Sequence, residues 1–149
     1  MEQNLAKLLE GAILAMPQTA VGTSTITGSA VDMQGYDGVI FIGICGAFTD
    51  GSFDMKAQDD TVVGMGSAAD IAGSKVSAVA SNKYVMLDIY KPVKRFIRPA
   101  VVRGGATGSV IGGVMALRYM ASKVPVPSAA QDASLAASKS LASPVDGTA

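Results

Sequence analysis

The side chains that most often carry out chemistry are scarce in this sequence. None of the 149 residues is a histidine, which removes the commonest general base, the usual catalytic triads and most zinc and non-haem iron sites. Cys45 is the single cysteine, so neither an intramolecular disulfide nor a pair of thiolate ligands can form. It lies in an apolar run without a neighbouring base, which is typical of a small core residue rather than a nucleophile. We therefore expect a protein that is not an enzyme, with no catalytic residue and no cofactor.

One short motif has the spacing of a dinucleotide-binding loop. Gly64, Gly66 and Ala69 match the loose pattern G-x-G-x-x-A, and Asp88 follows Gly66 by 22 residues. That mechanism needs a full strand before the turn and a helix whose N-terminus faces the pyrophosphate. Here only a three-residue apolar stub precedes the motif, and Gly73 interrupts any helix within two turns. We expect a loop or a short helical turn there, and no bound nucleotide.

Four carboxylates crowd one segment around a predicted turn. They are Asp50, Asp54, Asp59 and Asp60. Carboxylates are hard ligands that suit Ca²⁺ or Mg²⁺, but this spacing matches no calcium-binding loop. A solvated acidic edge explains them better, so we expect no metal site and keep a hard-cation site as the alternative.

Charge is unevenly distributed along a chain whose formal net charge is zero. Residues 32–60 hold six acids and one base, a net charge of −5, whereas residues 91–123 hold seven bases and no acid, a net charge of +7. If strands of the two segments pair, the charges cancel within the subunit. Otherwise complementary patches meet between subunits and set their orientation. A weaker third interpretation is a single-stranded nucleic-acid surface with Tyr90 and Phe96 as stacking groups.

Neither nucleic acid nor a membrane is the expected partner. The balanced total charge provides no bulk attraction to either surface. The longest strongly apolar run, Val39 to Phe48, is about half as long as a bilayer-spanning helix.

The N-terminal region, residues 4–16, has the pattern of a short amphipathic helix. Its apolar residues recur at spacings of three and four, which places them on one helix face. These residues are Leu5, Leu8, Leu9, Ala12 and Ile13. Asn4 is a suitable N-cap, and Pro17 ends the helix. Because a helix of about three turns is marginal in water, we expect it to dock on the sheet or on a neighbouring subunit.

From residue 19 onward, short runs rich in Val, Ile and Thr alternate with glycine and proline, as in strands. The predicted strands cover 20–27, 30–33, 38–48, 53–58, 76–80, 84–90, 96–103 and 109–120. The strand over 38–48 is expected to be buried on both faces, because its apolar run is nearly continuous. Asp50-Gly51, between Phe48 and Phe53, predicts a two-residue hairpin turn. The sequence therefore predicts an all-β fold, an antiparallel β-sandwich.

The last 29 residues have a different composition. They include 8 Ala, 6 Ser and 3 Pro, which is too poor in large apolar groups to build a core. Ser128 followed by Gln131 is able to cap a weak helix that continues through Ser140. The predicted organisation is an N-terminal helix or arm over 1–18, a β-sandwich domain over 19–120, and a tail over 121–149 that is disordered alone or orders against a partner.

Three stretches of the sequence carry a resemblance to a known family. They are the run Val31 to Ile42 (VDMQGYDGVIFI), the triplet Thr49-Asp50-Gly51, and Asp88-Ile89-Tyr90-Lys91-Pro92 with Arg95-Phe96-Ile97-Arg98. From about Leu5 to Val126 the chain resembles the capsid cement (decoration) proteins of tailed bacteriophages. The string Asp-Met-x-Gly-Tyr is its most distinctive part, and it marks fold and turns rather than chemistry.

The resemblance implies a jelly-roll-like β-sandwich that assembles as a homodimer or homotrimer. Its implied partner is the major capsid protein, whose neighbouring subunits it clamps without a covalent bond on the capsid surface of the virion. Assembly is then expected in the cytoplasm of the bacterial host. The residues expected at these contacts combine the apolar helix stripe with the charged segments. They are Leu5, Leu8, Leu9, Asp50, Asp59, Asp60, Lys91, Lys94, Arg95, Arg98 and Arg103.

Two other functions stay open. A phage tail or head-completion (connector) protein shares small β-rich folds, and the copy number per virion distinguishes it from a cement protein. A glycan-binding β-sandwich module needs exposed aromatic platforms, and a chain with eight aromatic residues and no tryptophan fits this poorly.

Overall fold

The computed structural model describes residues 8–15, 23–106, 108–122 and 135–136. Ten strands occur in this part of the chain: β1 (Glu10–Ala15), β2 (Ile26–Thr27), β3 (Val31–Asp32), β4 (Tyr36–Cys45), β5 (Ser52–Asp60), β6 (Ala69–Asp70), β7 (Val76–Ala78), β8 (Tyr84–Tyr90), β9 (Phe96–Gly104) and β10 (Ile111–Ala121). No helix occurs among the described residues, so none is long and apolar enough to cross a membrane. The predicted all-β class is confirmed.

The strands form two antiparallel sheets. The order in the four-stranded sheet is β1-β10-β4-β8. In the six-stranded sheet it is β2-β9-β5-β6, with β3 also paired to β9 and β7 also paired to β5. Most spatial neighbours are distant in sequence, because consecutive strands lie in different sheets after β1, β3, β4, β7, β8 and β9.

Buried side chains of both sheets share one hydrophobic core. Val39 and Phe41 of β4 meet Phe53 and Met55 of β5 in this core, and none of the four has exposed surface. Ile97 of β9 is equally buried. Because side chains alternate across a strand, each of these strands turns every second residue towards the core and the residues between them outward.

The predicted N-terminal helix is wrong over residues 10–15. This segment is strand β1, which pairs with β10. Glu10 and Leu14 are buried, Ala12 between them packs against the core and Ile13 is exposed, so burial follows the period of two of a strand rather than 3.6. Pairing with β10 satisfies the backbone and buries these side chains, whereas a short helix is marginal until it docks. Tertiary pairing thus outweighs the local helical pattern; the start of the predicted helix, with Leu5, lies outside the described residues.

The hairpin predicted at Asp50-Gly51 is also wrong. β4 pairs with β10 and β8, and β5 pairs with β9, β6 and β7, so the segment between β4 and β5 crosses from one sheet to the other. Gly51 is required there for a close backbone approach. A Cβ at this position would lie 2.7 Å from the carbonyl oxygen of Gly108 and 2.8 Å from that of Gly104. Asp50-Gly51 therefore lies in a tight connection between the two sheets, and β4 and β5 do not pair with each other as a hairpin.

Burial of β4 on both faces, predicted for residues 38–48, is wrong as well. Val39 and Phe41 are fully buried, but Ile42 is only partly buried and Ile44 is 48% exposed. The nearly continuous apolar run therefore reflects one face in the core and a second apolar face on the outside.

Other predicted strands agree more closely with the strands of the structure. β8 has the predicted bounds, and β9 extends one residue further than predicted. The loop predicted around Gly66 contains the short strand β6. Of the predicted strand over 20–27, the described residues show only Ile26–Thr27 as strand. The helix proposed after Ser128 lies outside the described residues.

A buried ion pair fastens the edge strand β1 to β10. The carboxylate of Glu10, 4% exposed, accepts hydrogen bonds from the guanidinium of Arg118 and from the hydroxyl of Tyr36. The Arg118 guanidinium also lies over the Tyr36 ring, 4.4 Å from its centroid. It donates a further hydrogen bond to the carbonyl oxygen of Asp32 at 2.5 Å. Desolvation by burial raises the pKa of Tyr36, which keeps its hydroxyl a donor at neutral pH.

Candidate protein–protein interface

The outer surface of the four-stranded sheet is apolar. The strand register determines which side chains share this surface, because directly opposed residues point the same way. We call nine of them the apolar face: Ile13, Ile40, Ile42, Ile44, Tyr84, Met86, Tyr90, Met115 and Leu117. Tyr84 is 67% exposed and Met86 is 53% exposed. Single exposed apolar residues are ordinary, but a contiguous patch marks an interaction site.

The apolar face is continuous across all four strands. Met115 of β10 lies opposite Ile13 of β1 on one side and opposite Ile42 of β4 on the other. Ile42 in turn lies opposite Met86 of β8. A row of four apolar side chains therefore crosses the sheet from edge to edge.

The charged residues nearest the apolar face belong to β8 or flank it. They are Asp88, Lys83 and Lys91, whose Nζ lies over the Tyr90 ring. Asp88 is the sole charge among the described residues that the register places on this surface. The hydroxyl of Tyr119 donates a hydrogen bond to Oδ1 of Asp88 at 2.6 Å. Burial, that hydrogen bond and the negative charge of Asp88 raise the pKa of Tyr119 to about 12. Lys83 directly precedes β8, and it lines a shallow depression with Ile44 and Tyr84.

The outer surface of the six-stranded sheet is polar. We call the following residues the polar face: Asp54, Lys56, Gln58, Asp70, Lys75 and Arg98. Nζ of Lys75 lies 2.8 Å from Oδ2 of Asp54. Partial burial acts to raise the pKa of Asp54, but hydrogen bonds from Lys75 and Ser77 lower it overall. The charge of this carboxylate is therefore balanced within the subunit.

A hydrogen-bonded chain crosses the rest of the polar face. Arg98 donates from Nε to Oε1 of Gln58 at 2.9 Å, and Gln58 donates from Nε2 to Oδ1 of Asp70 at 2.9 Å. Lys56 donates from Nζ to the other oxygen of Asp70 at 2.5 Å. These two side chains, Lys56 first, hold the pKa of Asp70 below its ordinary value. The charged side chains of the polar face thus bind polar partners on the same face.

Most of the predicted interface residues lie at one end of the two sheets. The loops 33–35, 61–68 and 91–95 meet there, because β4 begins, β5 ends and β9 begins at that level. Leu8 and Leu9, both partly buried, precede β1 at the same end, and β10 ends there. We call these loops, with Leu8, Leu9 and Ser122, the terminal end.

Charged groups at the terminal end pair within the subunit. Nζ of Lys94 lies 2.8 Å from Oδ1 of Asp59. Arg95 binds Asp32 through two hydrogen bonds of 2.9 and 2.7 Å, and this contact holds the pKa of Asp32 below its ordinary value. Lys91 is exposed, with Nζ 5.4 Å from the ring centroid of Tyr90. For the pairs Lys94–Asp59 and Arg95–Asp32 the first alternative, cancellation within the subunit, describes the structure.

Asp60 shapes the loop that holds the Gly64-Gly66 motif. Its side chain is buried and accepts hydrogen bonds from the backbone N–H of Ser67 at 2.9 Å and of Thr61 at 2.6 Å. These bonds, that from Ser67 first, hold its pKa below the ordinary value. The motif therefore lies in a carboxylate-bound turn and is followed by strand β6 rather than by a helix.

Three of the predicted residues lie apart from the terminal end. Arg98 is on the polar face, and Asp50 lies in the crossing between β4 and β5. Arg103 is buried and donates to the carbonyl oxygens of Ser24 at 3.0 Å and Ser109 at 3.1 Å. The four carboxylates of the acidic segment do not form a cluster either. Among the described residues, no three His, Cys, Asp or Glu side chains lie close enough together to hold a metal ion.

Cys45 faces the interior, with 1% of its surface exposed. Desolvation by burial raises the pKa of its thiol, which opposes formation of a nucleophilic thiolate.

Sequence reasoning missed the apolar face, although a signal for it exists. In β4, β8 and β10 both alternating sets of residues are largely apolar, whereas in β5 only one set is. We interpreted this signal in β4 as burial on both faces within one subunit. The outward set of β4 lies on the surface instead, so a sheet with one face in the core and a second apolar face on the surface produces the same signal.

No protein-family model matches this sequence, and a comparison with curated proteins finds no match. Among solved structures, the chain is similar to a subunit of Bacillus endospore appendages, described as a family of disulfide-linked pili. The identity is 15% and the TM-score 0.46, over 80% of this chain and 94% of that one. It is also similar to the SPBc2 prophage-derived protein YomS, at 15% identity and a TM-score of 0.41, over 74% of this chain and 94% of that one. Likenesses at this level assign neither a family nor a function.

Proposed function

We propose that this protein is a structural protein of a tailed-phage virion, without enzymatic activity. It binds the outside of the capsid as a cement or decoration protein and stabilises contacts between major capsid subunits. The apolar face supports a role as a subunit of an assembly, since a contiguous apolar surface of this kind is typical of subunits of permanent assemblies. The observation that carries the capsid contact is that two stretches with the sequence resemblance meet at the terminal end. The sequence resemblance to phage cement proteins supports the phage capsid as the assembly to which this protein belongs. The proposal includes a jelly-roll-like β-sandwich built from the two sheets.

We assign the capsid contact to the terminal end. The resembling run Val31 to Ile42 covers β3, the turn that follows it and most of β4, and it passes through this end. The resembling residues 88–98 pass through it as well, between β8 and β9. Two separate stretches that carry the likeness therefore meet at one place in the fold.

The surface chemistry of the terminal end suits a protein contact. Val62 and Val63 are exposed on one loop, and Val93, at 96% exposed, is on another. Apolar side chains of this kind serve as anchors in a partner's pockets. Lys91, exposed on the same loop as Val93, supplies positive charge that fixes orientation more than affinity.

Quantitative mass spectrometry and cryo-electron microscopy of phage particles purified from the host that makes this protein test the proposal. We expect a copy number comparable with that of the major capsid protein and density on the outside of the shell. A copy number that matches a single ring of subunits replaces the cement role with a connector role. Absence from purified particles overturns both.

A matched pair of valine variants tests the assignment of the terminal end. Val93 lies at this end, whereas Val79, 91% exposed, follows β7 at the opposite end. We expect Val93→Asp to lower the occupancy of isolated capsids and Val79→Asp to leave it unchanged. Equal occupancy for the two variants contradicts the assignment.

Ser122, the last described residue before the C-terminal segment, lies at the terminal end. We expect deletion of residues 123–149 to weaken attachment to capsids, as measured by occupancy at a fixed protein concentration. Unchanged occupancy would show that this segment has no part in attachment.

A further inference from the structure

We propose that the apolar face is covered by the same face of a second copy of this chain, which makes the protein a two-fold symmetric homodimer. The inference deepens the proposed function and rests on it for the biological role of the pairing. Self-association itself is a property of the purified protein and is measured without any virion.

The size of the apolar face fits a dimer. Its three most exposed residues, Tyr84, Tyr90 and Met86, are each more than half exposed, and Ile44 and Ile13 are nearly half exposed. Scaled to side-chain areas of about 150–250 Å², the nine residues expose roughly 550–900 Å². Each partner of a standard interface contributes about 800 Å². The face alone therefore supplies the area of a stable contact.

The composition of the face also fits contact with itself. Interface centres are enriched in tyrosine and methionine and depleted in charge, and homodimer interfaces are more apolar than others. A symmetric contact sets a patch against its own copy, so a patch with several like charges would repel itself. Asp88 is the single charge that the register places on this face. The repulsion is correspondingly small.

The position of the two charges determines the direction of the packing. Lys83 lies at one end of β8 and Asp88 lies five residues further along, about 17 Å at the rise of an extended strand. A two-fold axis that crosses the strands at the level of Met86 and Ile42 packs each strand antiparallel over its counterpart. That axis sets Asp88 of one copy near Lys83 of the other, and it does so twice.

A second copy is also the partner that is present from synthesis onward. An exposed apolar patch of this size on a free subunit is an aggregation liability. A cement protein must remain in solution until it meets an assembled shell, and pairing with its own copy covers the face during that time. Most of the terminal end stays outside the contact, because its loops lie beyond the strands that carry the apolar face. Lys91, over the Tyr90 ring, lies at the border between the two surfaces.

Sedimentation equilibrium over a range of protein concentrations measures the pairing. We expect a dimer for the wild type. Met86→Glu buries an unpaired carboxylate in the contact, so we expect it to raise the dimer dissociation constant more than about a hundredfold. Val79→Glu adds the same charge away from the face and is expected to leave the dissociation constant unchanged. Circular dichroism confirms that each variant is folded. A wild-type protein that remains monomeric at the highest concentration overturns the inference.

A charge exchange tests the symmetry. Lys83→Glu alone and Asp88→Lys alone each set like charges together across the axis, and we expect each to weaken the dimer about tenfold. The double variant restores opposite charges at both places, so we expect its dissociation constant within about threefold of the wild type. Single losses that simply add in the double variant overturn the antiparallel arrangement.

The outcomes separate this inference from the proposed function. A monomeric protein that is nevertheless abundant on virions removes the dimer and retains the cement role. A protein that dimerises but is absent from virions retains the dimer and removes the cement role.

Discussion

The two outer faces of this molecule are built on similar antiparallel sheets but meet water in opposite ways. On the polar face, Lys75 pairs with Asp54, and Lys56 and Gln58 both bind Asp70. On the apolar face the strand register places a single carboxylate, that of Asp88, and it accepts a hydrogen bond from the hydroxyl of Tyr119. Because the inner sides of both sheets are apolar alike, the difference does not arise from folding of the subunit. The difference supports our proposal that one face meets solvent and the other a partner.

The comparison also explains the segregated charges of the sequence. The acidic segment supplies Asp32 and Asp59, and the basic segment supplies Arg95 and Lys94, which bind them. Exposed ion pairs contribute little stability, so their main effect is to specify which strands lie side by side. In the assembly that we propose, affinity therefore comes from the apolar face rather than from these charges.

The largest expected effect concerns the ion pair behind the apolar face. Arg118→Leu leaves the Glu10 carboxylate buried without its counter-charge, so we expect the free energy of unfolding to fall by about 3–5 kcal/mol. Arg98→Leu removes the same type of side chain from the polar face, where it donates to Gln58, and is expected to cost about 1 kcal/mol. Urea denaturation of both variants measures the difference. Equal losses would contradict the contrast between a buried and a solvated charge.

The next effect concerns the apolar face itself. If a second copy covers it, the thermal midpoint of the wild type rises with protein concentration, and a concentration 100 times the dissociation constant contributes about 2.7 kcal/mol. Met86→Glu is expected to abolish this dependence, whereas Val79→Glu retains it. Differential scanning calorimetry at several concentrations measures it. A midpoint of the wild type that is independent of concentration would contradict the prediction.

Strand identity was largely predictable from the sequence, whereas strand partners were not. β8 and β9 are each bounded by turn residues, and their alternation is local information. Sheet partners depend on contacts between distant residues, and the Asp50-Gly51 pair is compatible both with a hairpin and with a tight crossing between sheets. The apolar pattern of residues 10–15 fits both a helix and a strand, and only pairing with β10 makes the segment a strand.

The candidate interface was predictable only in part. The charged residues of the terminal end are conspicuous in sequence, although most of them turn out to bind one another. The apolar face was not found, since an outward-facing Ile42 covered by a partner copy and an inward-facing Ile42 covered by the same chain leave identical patterns. That distinction requires the sheet order, which places no described strand over β4 on its outer side.

A smaller effect is expected for a single pair on the polar face. Lys75 is 63% exposed by its side chain and its partner Asp54 is 18% exposed. Lys75→Met is therefore expected to cost about 0.2–1 kcal/mol, as is usual for exposed ion pairs. The difference from the wild type should shrink in about 1 M salt, which screens such pairs. A loss as large as that of Arg118→Leu would show that the polar face contributes to stability as a buried network does.

The smallest effect is a dependence on pH that belongs to the polar face. Burial acts to raise the pKa of Asp54, but hydrogen bonds from Lys75 and Ser77 bring it below its ordinary value of 3.8. Because the folded-state pKa is the lower one, the unfolded chain binds more protons between the two values. The stabilisation from this carboxylate is therefore complete above the ordinary value and is lost as pH falls through the folded-state pKa.

Asp54→Asn removes that titration while keeping a side chain of similar size. Urea midpoints measured from about pH 5 down to pH 2 are expected to fall less steeply for this variant than for the wild type, because one carboxylate with a lowered pKa no longer contributes. Met86→Glu, examined in parallel, adds a carboxylate on the apolar face and leaves the Asp54 pair intact, so it is expected to retain the contribution of Asp54. Identical slopes for Asp54→Asn and the wild type would show that the Lys75 contact does not persist in solution, and the polar face would then owe its character to hydration rather than to its own pairs.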